Sequence, residues 1–259
     1  MLKNYHSHTA RCGHAWGTDD EFVEAAIEAG FTVLGFSEHS PWPFVDGYQE
    51  IDRRQRMPVE ELDAYLADMQ TLKEKYKGKI QIRVGLECEY FPRYFDWLKA
   101  VRPRLDYLLL GVHCADYDEH LHHYYARSTK AEQVQEYGRC VLEGMESGLF
   151  AYLAHPELCL ADYPRYDDVC ADIVHSICRM AKELDMPLEY NLYGVDKQAR
   201  GRQKGLGYPC KIFWEAAAEH GCTAIIGVDA HRPEHFHRQR FLDAQAYLTG
   251  LGIRLIDEI

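Results

Sequence analysis

His6 and His8 stand two apart at the end of a short apolar run. In a strand, residues i and i+2 face the same side, so this spacing aims two imidazoles at one point. Paired nitrogens placed in this way suit a divalent metal. His14 follows within Arg11-Cys12-Gly13-His14, and similar residues recur along the chain: His39, Glu87, His113, His155, then Asp229 and His231. These make nine candidate ligands, seven imidazoles and two carboxylates. One zinc-like ion uses three or four protein ligands and keeps a position open, so the set suits two or three ions with a bridging carboxylate. Imidazole and carboxylate without thiolate favour zinc, iron or manganese over magnesium or calcium.

The elements that must position these residues alternate regularly. Apolar runs at 2–6, 32–37, 79–87, 105–112, 150–154, 188–191 and 223–228 read as strands. Amphipathic stretches at 19–29, 58–76, 94–101, 130–147, 167–184, 211–220 and 236–248 read as helices. The candidate ligands fall at the C-terminal ends of the putative strands, where a parallel barrel gathers its catalytic groups. Seven strand–helix units predict an α/β fold, a distorted (β/α)7 TIM-like barrel, with a doubly wound open sheet as the alternative. No interior linker interrupts the pattern, so residues 1–259 are expected to form a single domain. Three stretches read as loops: 40–57 over the site, the histidine-rich 117–129, and a glycine-rich basic segment at 194–207.

Composition narrows the function classes. The net charge of −12 disfavours a nucleic-acid surface but allows a small anionic substrate, because local charge can oppose the global field. No apolar run approaches the length of a membrane span, and the N-terminus lacks a basic region followed by an apolar one. Nine scattered cysteines with no CxxC pair predict reduced, mostly buried thiols and a cytoplasmic protein. Oligomeric state is not legible.

The combination H-S-H-T, R-C-G-H-A, S-E-H-S, G-L-E-C-E, D-Y-L-L-L-G-V-H, A-H-P and V-D-A-H, spread over residues 6 to 231, resembles the PHP (polymerase and histidinol phosphatase) family. It is most similar to the histidinol-phosphatase branch, through His14 as the third ligand of the opening motif. The resemblance implies a trinuclear metal centre. His6, His8, Glu87 and Asp229 would hold one ion. Glu87, His113 and His155 would hold a second, and His14, His39 and His231 a third. The implied activity is hydrolysis of L-histidinol phosphate to L-histidinol and inorganic phosphate, in histidine biosynthesis. Asp229 or His231 is expected to move a proton to or from the leaving alcohol.

The resemblance also suggests arginines on later loops as phosphate clamps, since a guanidinium fork fits phosphate oxygens. Arg165, Arg200 and Arg202 are the candidates. The stretch from Asn191 to Tyr208-Pro209 departs from the expected pattern, where an arginine follows the asparagine sooner. Another small phosphate, such as a nucleotide or sugar phosphate, is therefore a second substrate reading, and a catalytically idle metal- or phosphate-binding paralogue a third. His120, His122 and His123 read as a solvated loop edging the pocket, His235 and His237 as surface, and Trp42 with Phe44 as loop closure.

Overall fold

The structure is a computed structural model and describes residues 1–43, 55–114 and 123–259. Among these, eight parallel strands form one sheet in chain order. They are β1 (Leu2–Asn4), β2 (Phe31–His39), β3 (Gln81–Cys88), β4 (Tyr107–Leu110), β5 (Tyr152–Leu153), β6 (Leu188–Asn191), β7 (Thr223–Gly227) and β8 (Arg254–Leu255). An isolated parallel bridge, Ser7 to Ala230, joins the chain just past β1 to the chain just past β7. The His8 amide donates to Ala230 O at 2.9 Å across this seam. At the site end, β1 and β7 thus meet and close seven strands. At the other end the short β8 lies against β7 instead. The fold is a distorted TIM-like barrel, and β8 is an addition to the seven expected strands.

Two apolar layers hold it. Inside the barrel, Tyr5, Val33, Tyr107, Leu109, Tyr152, Ala154 and Ile225 pack as a closed cluster. Tyr107 lies inside it and donates its hydroxyl to Tyr5 O at 2.6 Å, so the barrel is filled beneath the site. Outside, the helices pack on the sheet: α1 (Asp19–Glu28), α2 (Leu62–Lys75), α3 (Phe95–Val101), α4 (Ala131–Glu146), α5 (Asp168–Glu183), α6 (Leu192–Ala199), α7 (Lys211–Glu219) and α8 (Arg238–Gly250). Their periodic apolar residues make this contact. In α4 these are Val134, Tyr137, Val141 and Met145, and burying each such side chain contributes about 1.5–3 kcal/mol. Thr18 and Glu21 form a capping box that starts α1 where its acidic first turn implies. All nine cysteines are buried.

The segment 194–207 corrects one expectation, because its first part is helical. Asn191 caps α6 by accepting the Gly194 amide at 2.8 Å. Gly194 is inside a helix because the chain of Tyr208 lies against it; a Cβ there would meet Tyr208 O and its ring. Its glycine serves close packing and not a turn.

Candidate metal centre

Glu87, the penultimate residue of β3, stands at the middle of the barrel mouth and is 1% exposed. Its Oε2 faces His39 Nδ1 at 3.1 Å, His6 Nε2 at 3.4 Å and His8 Nε2 at 3.5 Å. Its Oε1 faces His155 Nε2 at 2.8 Å and His113 Nε2 at 3.4 Å. Gly111, just past β4, leaves the room for this side chain; a Cβ at that position would collide with the Glu87 carboxylate. Asp229, two residues past β7, brings Oδ1 to 3.1 Å from His8 Nε2, 3.3 Å from His231 Nδ1 and 3.6 Å from His6 Nε2. His14 Nε2 lies 3.0 Å from His231 Nε2. All nine residues expected from the sequence therefore gather in one place.

Several atoms here are buried without a hydrogen-bond partner: His6 Nε2, His8 Nε2 and Glu87 Oε2. The short approaches among them are not aligned as hydrogen bonds. Buried polar atoms are costly unless something satisfies them, and lone pairs turned towards a common point are what a cation would satisfy. His6, His8 and Glu87 can share one ion on distance, as can His39, Glu87 and His113, and His8, His39 and His231. In each trio the donor atoms lie within 4.8 Å of one another. Cys12 makes a further trio with His14 and His231, but burial first, then the Glu38 charge, pushes its thiol well above the usual range. The donor set thus fits divalent metal ions.

An outer layer orients these rings. His6 Nδ1 meets Glu189 Oε1 at 2.7 Å, His8 Nδ1 meets Glu38 Oε1 at 3.4 Å, and His113 Nδ1 meets Glu89 Oε1 at 3.3 Å. Carboxylates behind metal-ligating imidazoles fix the ring tautomer and raise ligand basicity. Asn191 ties the layers together, donating Nδ2 to Glu189 Oε2 at 3.0 Å and to Asp229 Oδ2 at 3.1 Å. Sequence reading did not single out Glu38, Glu89 or Glu189. A signal existed for two of them: Glu189 lies two before Asn191 on the same face of β6, and Glu89 lies two beyond Glu87, one residue past the end of β3.

The electrostatics match the crowding. Burial alone would raise the Glu87 carboxyl, yet His113, His6 and His39 hold it well below the usual carboxylate range. Burial also opposes charge on His8, but Asp229 and Glu38 push it up to about 9. Burial, then the neighbouring His8 charge, pushes His39 down to about 3, leaving a neutral ring. Metal binding to such a cluster takes the place of protons. His155 and Asp229 are non-glycine residues with positive φ, 30° and 52°. Such backbone is uncommon and persists where surrounding structure enforces it, here at two strand ends that turn ligands inward.

A cavity of about 570 Å³ opens above the cluster. His14, His39, His113, His155, Asp229 and His231 form its base, and Arg56, Arg127, Tyr124, Tyr193, Lys197 and Tyr208 its walls. None of the three expected arginines lines it. The Arg165 side chain is 78% exposed and 3.7 Å from Asp167. Arg200 and Arg202, beyond the end of α6, are also exposed. The helix carries Lys197 to the cavity instead, four residues on from Tyr193 and on the same helix face. Arg56 is engaged elsewhere, donating to Glu89 Oε2 at 2.9 Å and Oε1 at 3.0 Å.

The lesser residues divide. Trp42 is buried, donates Nε1 to Glu89 Oε2 at 2.8 Å and packs on Phe91, so it closes structure as expected. His123 lines the cavity and its Nε2 lies 3.0 Å from Ser128 Oγ. Phe44, His120 and His122 lie outside the described residues. His237 is exposed, as expected. His235 is not plain surface: its Nδ1 accepts the His231 amide at 3.1 Å, and its ring lies beside Tyr193. The turn Pro233–His235 folds it back on the site.

Residues 4–193 match the family model for the PHP domain. The chain belongs to the PHP domain family. Among PHP-type relatives, it is 29% identical to a probable histidinol-phosphatase of Deinococcus radiodurans over 98% of this chain and 95% of that protein. It is also 29% identical to the histidinol-phosphatase of Bacillus subtilis over 88% of this chain and 92% of the relative. The crystal structure of histidinol phosphate phosphatase from Lactococcus lactis, complexed with zinc, L-histidinol and phosphate, superposes with a TM-score of 0.69. That match has 20% identity and covers 98% of this chain and 95% of the other, so it bears on the shared PHP fold.

Proposed function

We propose that this PHP-domain chain is a metal-dependent phosphomonoesterase that hydrolyses L-histidinol phosphate to L-histidinol and inorganic phosphate, serving histidine biosynthesis in the cytoplasm. The observation that carries the chemistry is Glu87, one buried carboxylate approached by five imidazoles at the floor of an open cavity. The named substrate rests on the relatives matched over nearly the whole chain. Residues 1–259 act as a single catalytic unit. Among the described residues, no helix is long and apolar enough to cross a membrane.

In this reading the nine gathered side chains are the ligands. His6, His8, Glu87 and Asp229 serve one ion, Glu87 with His113 and His155 a second, and His14, His39 and His231 a third. Zinc suits this donor set, with iron or manganese as alternatives. When bound, such ions lower the pKa of water and neutralise the phosphoryl oxygens. The chain's own residues do the rest. Glu189, Glu38 and Glu89 hold the inner rings in register, and Tyr124, Tyr193 and Tyr208 wall the cavity above them. Asp229 has both oxygens engaged, one towards imidazoles and one by Asn191, which favours a ligand role over a proton-carrying one.

The test is kcat/KM of metal-replete protein for L-histidinol phosphate against 4-nitrophenyl phosphate. A preference of several orders of magnitude for the first supports the named substrate. Equal and poor rates on both remove histidinol phosphate and leave another small phosphate, or no turnover at all, as the reading.

A further inference from the structure

Resting on the phosphomonoesterase reading, we propose that Lys197 is the general acid of the reaction and protonates the leaving alcohol oxygen. Lys197 lies near the end of α6, and its side chain lines the cavity above the metal cluster. Its Nζ donates to Tyr208 Oη at 3.0 Å and sits 4.4 Å from the centre of the Tyr193 ring. Those two rings abut the cluster. Tyr193 stacks on His231 with centroids 4.8 Å apart, and Tyr208 meets His155 edge-on at 6.3 Å. The ammonium is therefore held by an aromatic bracket whose other faces touch two candidate ligands.

What sets this lysine apart is its company. Among the described residues, no carboxylate pairs with it. Arg56, the buried arginine of the same cavity, has Glu89. Tyr208 takes one N–H and the Tyr193 face receives the charge, which leaves donor capacity towards the cavity. Burial lowers the lysine from its ordinary range, which makes the proton easier to release. A lysine tuned by burial is an established kind of proton carrier.

The step balances as follows. The attacking water oxygen bonds to phosphorus while the bond from phosphorus to the alkyl oxygen breaks. The electron pair of the broken bond goes to the alkyl oxygen, which takes a proton from Lys197 Nζ. The neutral amine regains a proton from solvent in the open cavity, and the proton lost by the attacking water goes to solvent. No oxidant or co-reactant is needed. Tyr193 and Tyr208 act as positioning residues.

The experiment compares wild type, Lys197→Met and Lys197→Arg on two substrates in metal-replete protein, with metal content measured for each. An alkyl ester such as L-histidinol phosphate needs its leaving oxygen protonated, whereas 4-nitrophenyl phosphate releases a stable phenolate. Lys197→Met is expected to lower kcat on histidinol phosphate by about a hundredfold or more, and on the aryl ester by less than about tenfold. Lys197→Arg keeps the charge but does not release a proton, so it is expected to show the same split. Equal losses on both esters, or recovery of histidinol phosphate turnover by Lys197→Arg, would mean that the residue only binds the anion, and the proposal falls. Unequal losses at full metal content sustain it. A wild type inactive on both esters overturns the phosphomonoesterase reading itself, an outcome distinct from the first two.

Discussion

A carboxylate placed among five imidazoles does what an amide cannot, because it offers negative charge on both oxygens. Glu87→Gln is therefore expected to cost bound metal and activity together, with the fold retained; metal analysis by mass spectrometry alongside turnover checks it. Glu189 works one step further out, through His6 Nδ1 at 2.7 Å. Glu189→Gln keeps the size and removes the charge behind that ring. A loss of about 10–100-fold in metal affinity is expected, which titration against a competing chelator measures. An unchanged affinity would mean that Glu189 merely fills space. At this scale the sequence was informative about the inner residues and nearly silent about the outer ones. Histidine pairs at strand ends advertise metal chemistry by type and spacing. A glutamate inside a strand says little by its type, and only its spacing from a marked residue, as for Glu89 and Glu189, hints at a role before its neighbours across the sheet are known.

The elements supply room and orientation. Gly227, the last residue of β7, faces Glu189, and a Cβ there would collide with that carboxylate. Gly227→Ala should destabilise the protein by about 1–3 kcal/mol, the usual result of overpacking, and lower metal affinity as Glu189 is displaced. Thermal denaturation with metal titration reads both; an unaltered affinity would show that β7 can give way. Arg56 is 3% exposed and its partner Glu89 1%, so this is a buried ion pair that also reaches Ser40 O. Removing one partner strands the other charge. Arg56→Met is expected to cost about 3–5 kcal/mol, seen in denaturant unfolding. The element scale is also where sequence reading slipped. Gly194 and the basic residues after it resemble a loop, yet Asn191 caps a helix there and Tyr208 demands a glycine. That helix, α6, presents Lys197 to the cavity and leaves Arg200 and Arg202 in solvent. Composition alone does not distinguish a breaker glycine from a packing glycine.

At the scale of the whole molecule, the cluster joins strands from both ends of the chain. His6 follows β1 and Asp229 follows β7, and the seam between them is the Ser7 to Ala230 bridge. Ions bound only by the folded state stabilise it by mass action, about 4 kcal/mol for a site filled at a thousand times its dissociation constant. Chelation is therefore expected to lower the unfolding temperature and zinc to restore it, followed by calorimetry. A melting temperature indifferent to chelator would mean that the barrel closes without help from the ions. The parallel sense of the strands was legible from the alternation of apolar runs and amphipathic stretches, since these periodicities are local, and the count of seven units favoured a barrel over a doubly wound sheet of different strand order. So were the nine inner residues, because every parallel strand delivers its C-terminal end to one face and the ligands mark those ends. Their sharing was not legible. Which rings face which oxygen of Glu87, which carboxylates stand behind them, and which cation reaches the cavity depend on contacts between strands far apart in sequence and on the turn of a capped helix. Residue type and local spacing determined the chemistry available to this protein; the meeting of distant side chains in a crowded, water-poor space decided how it is arranged.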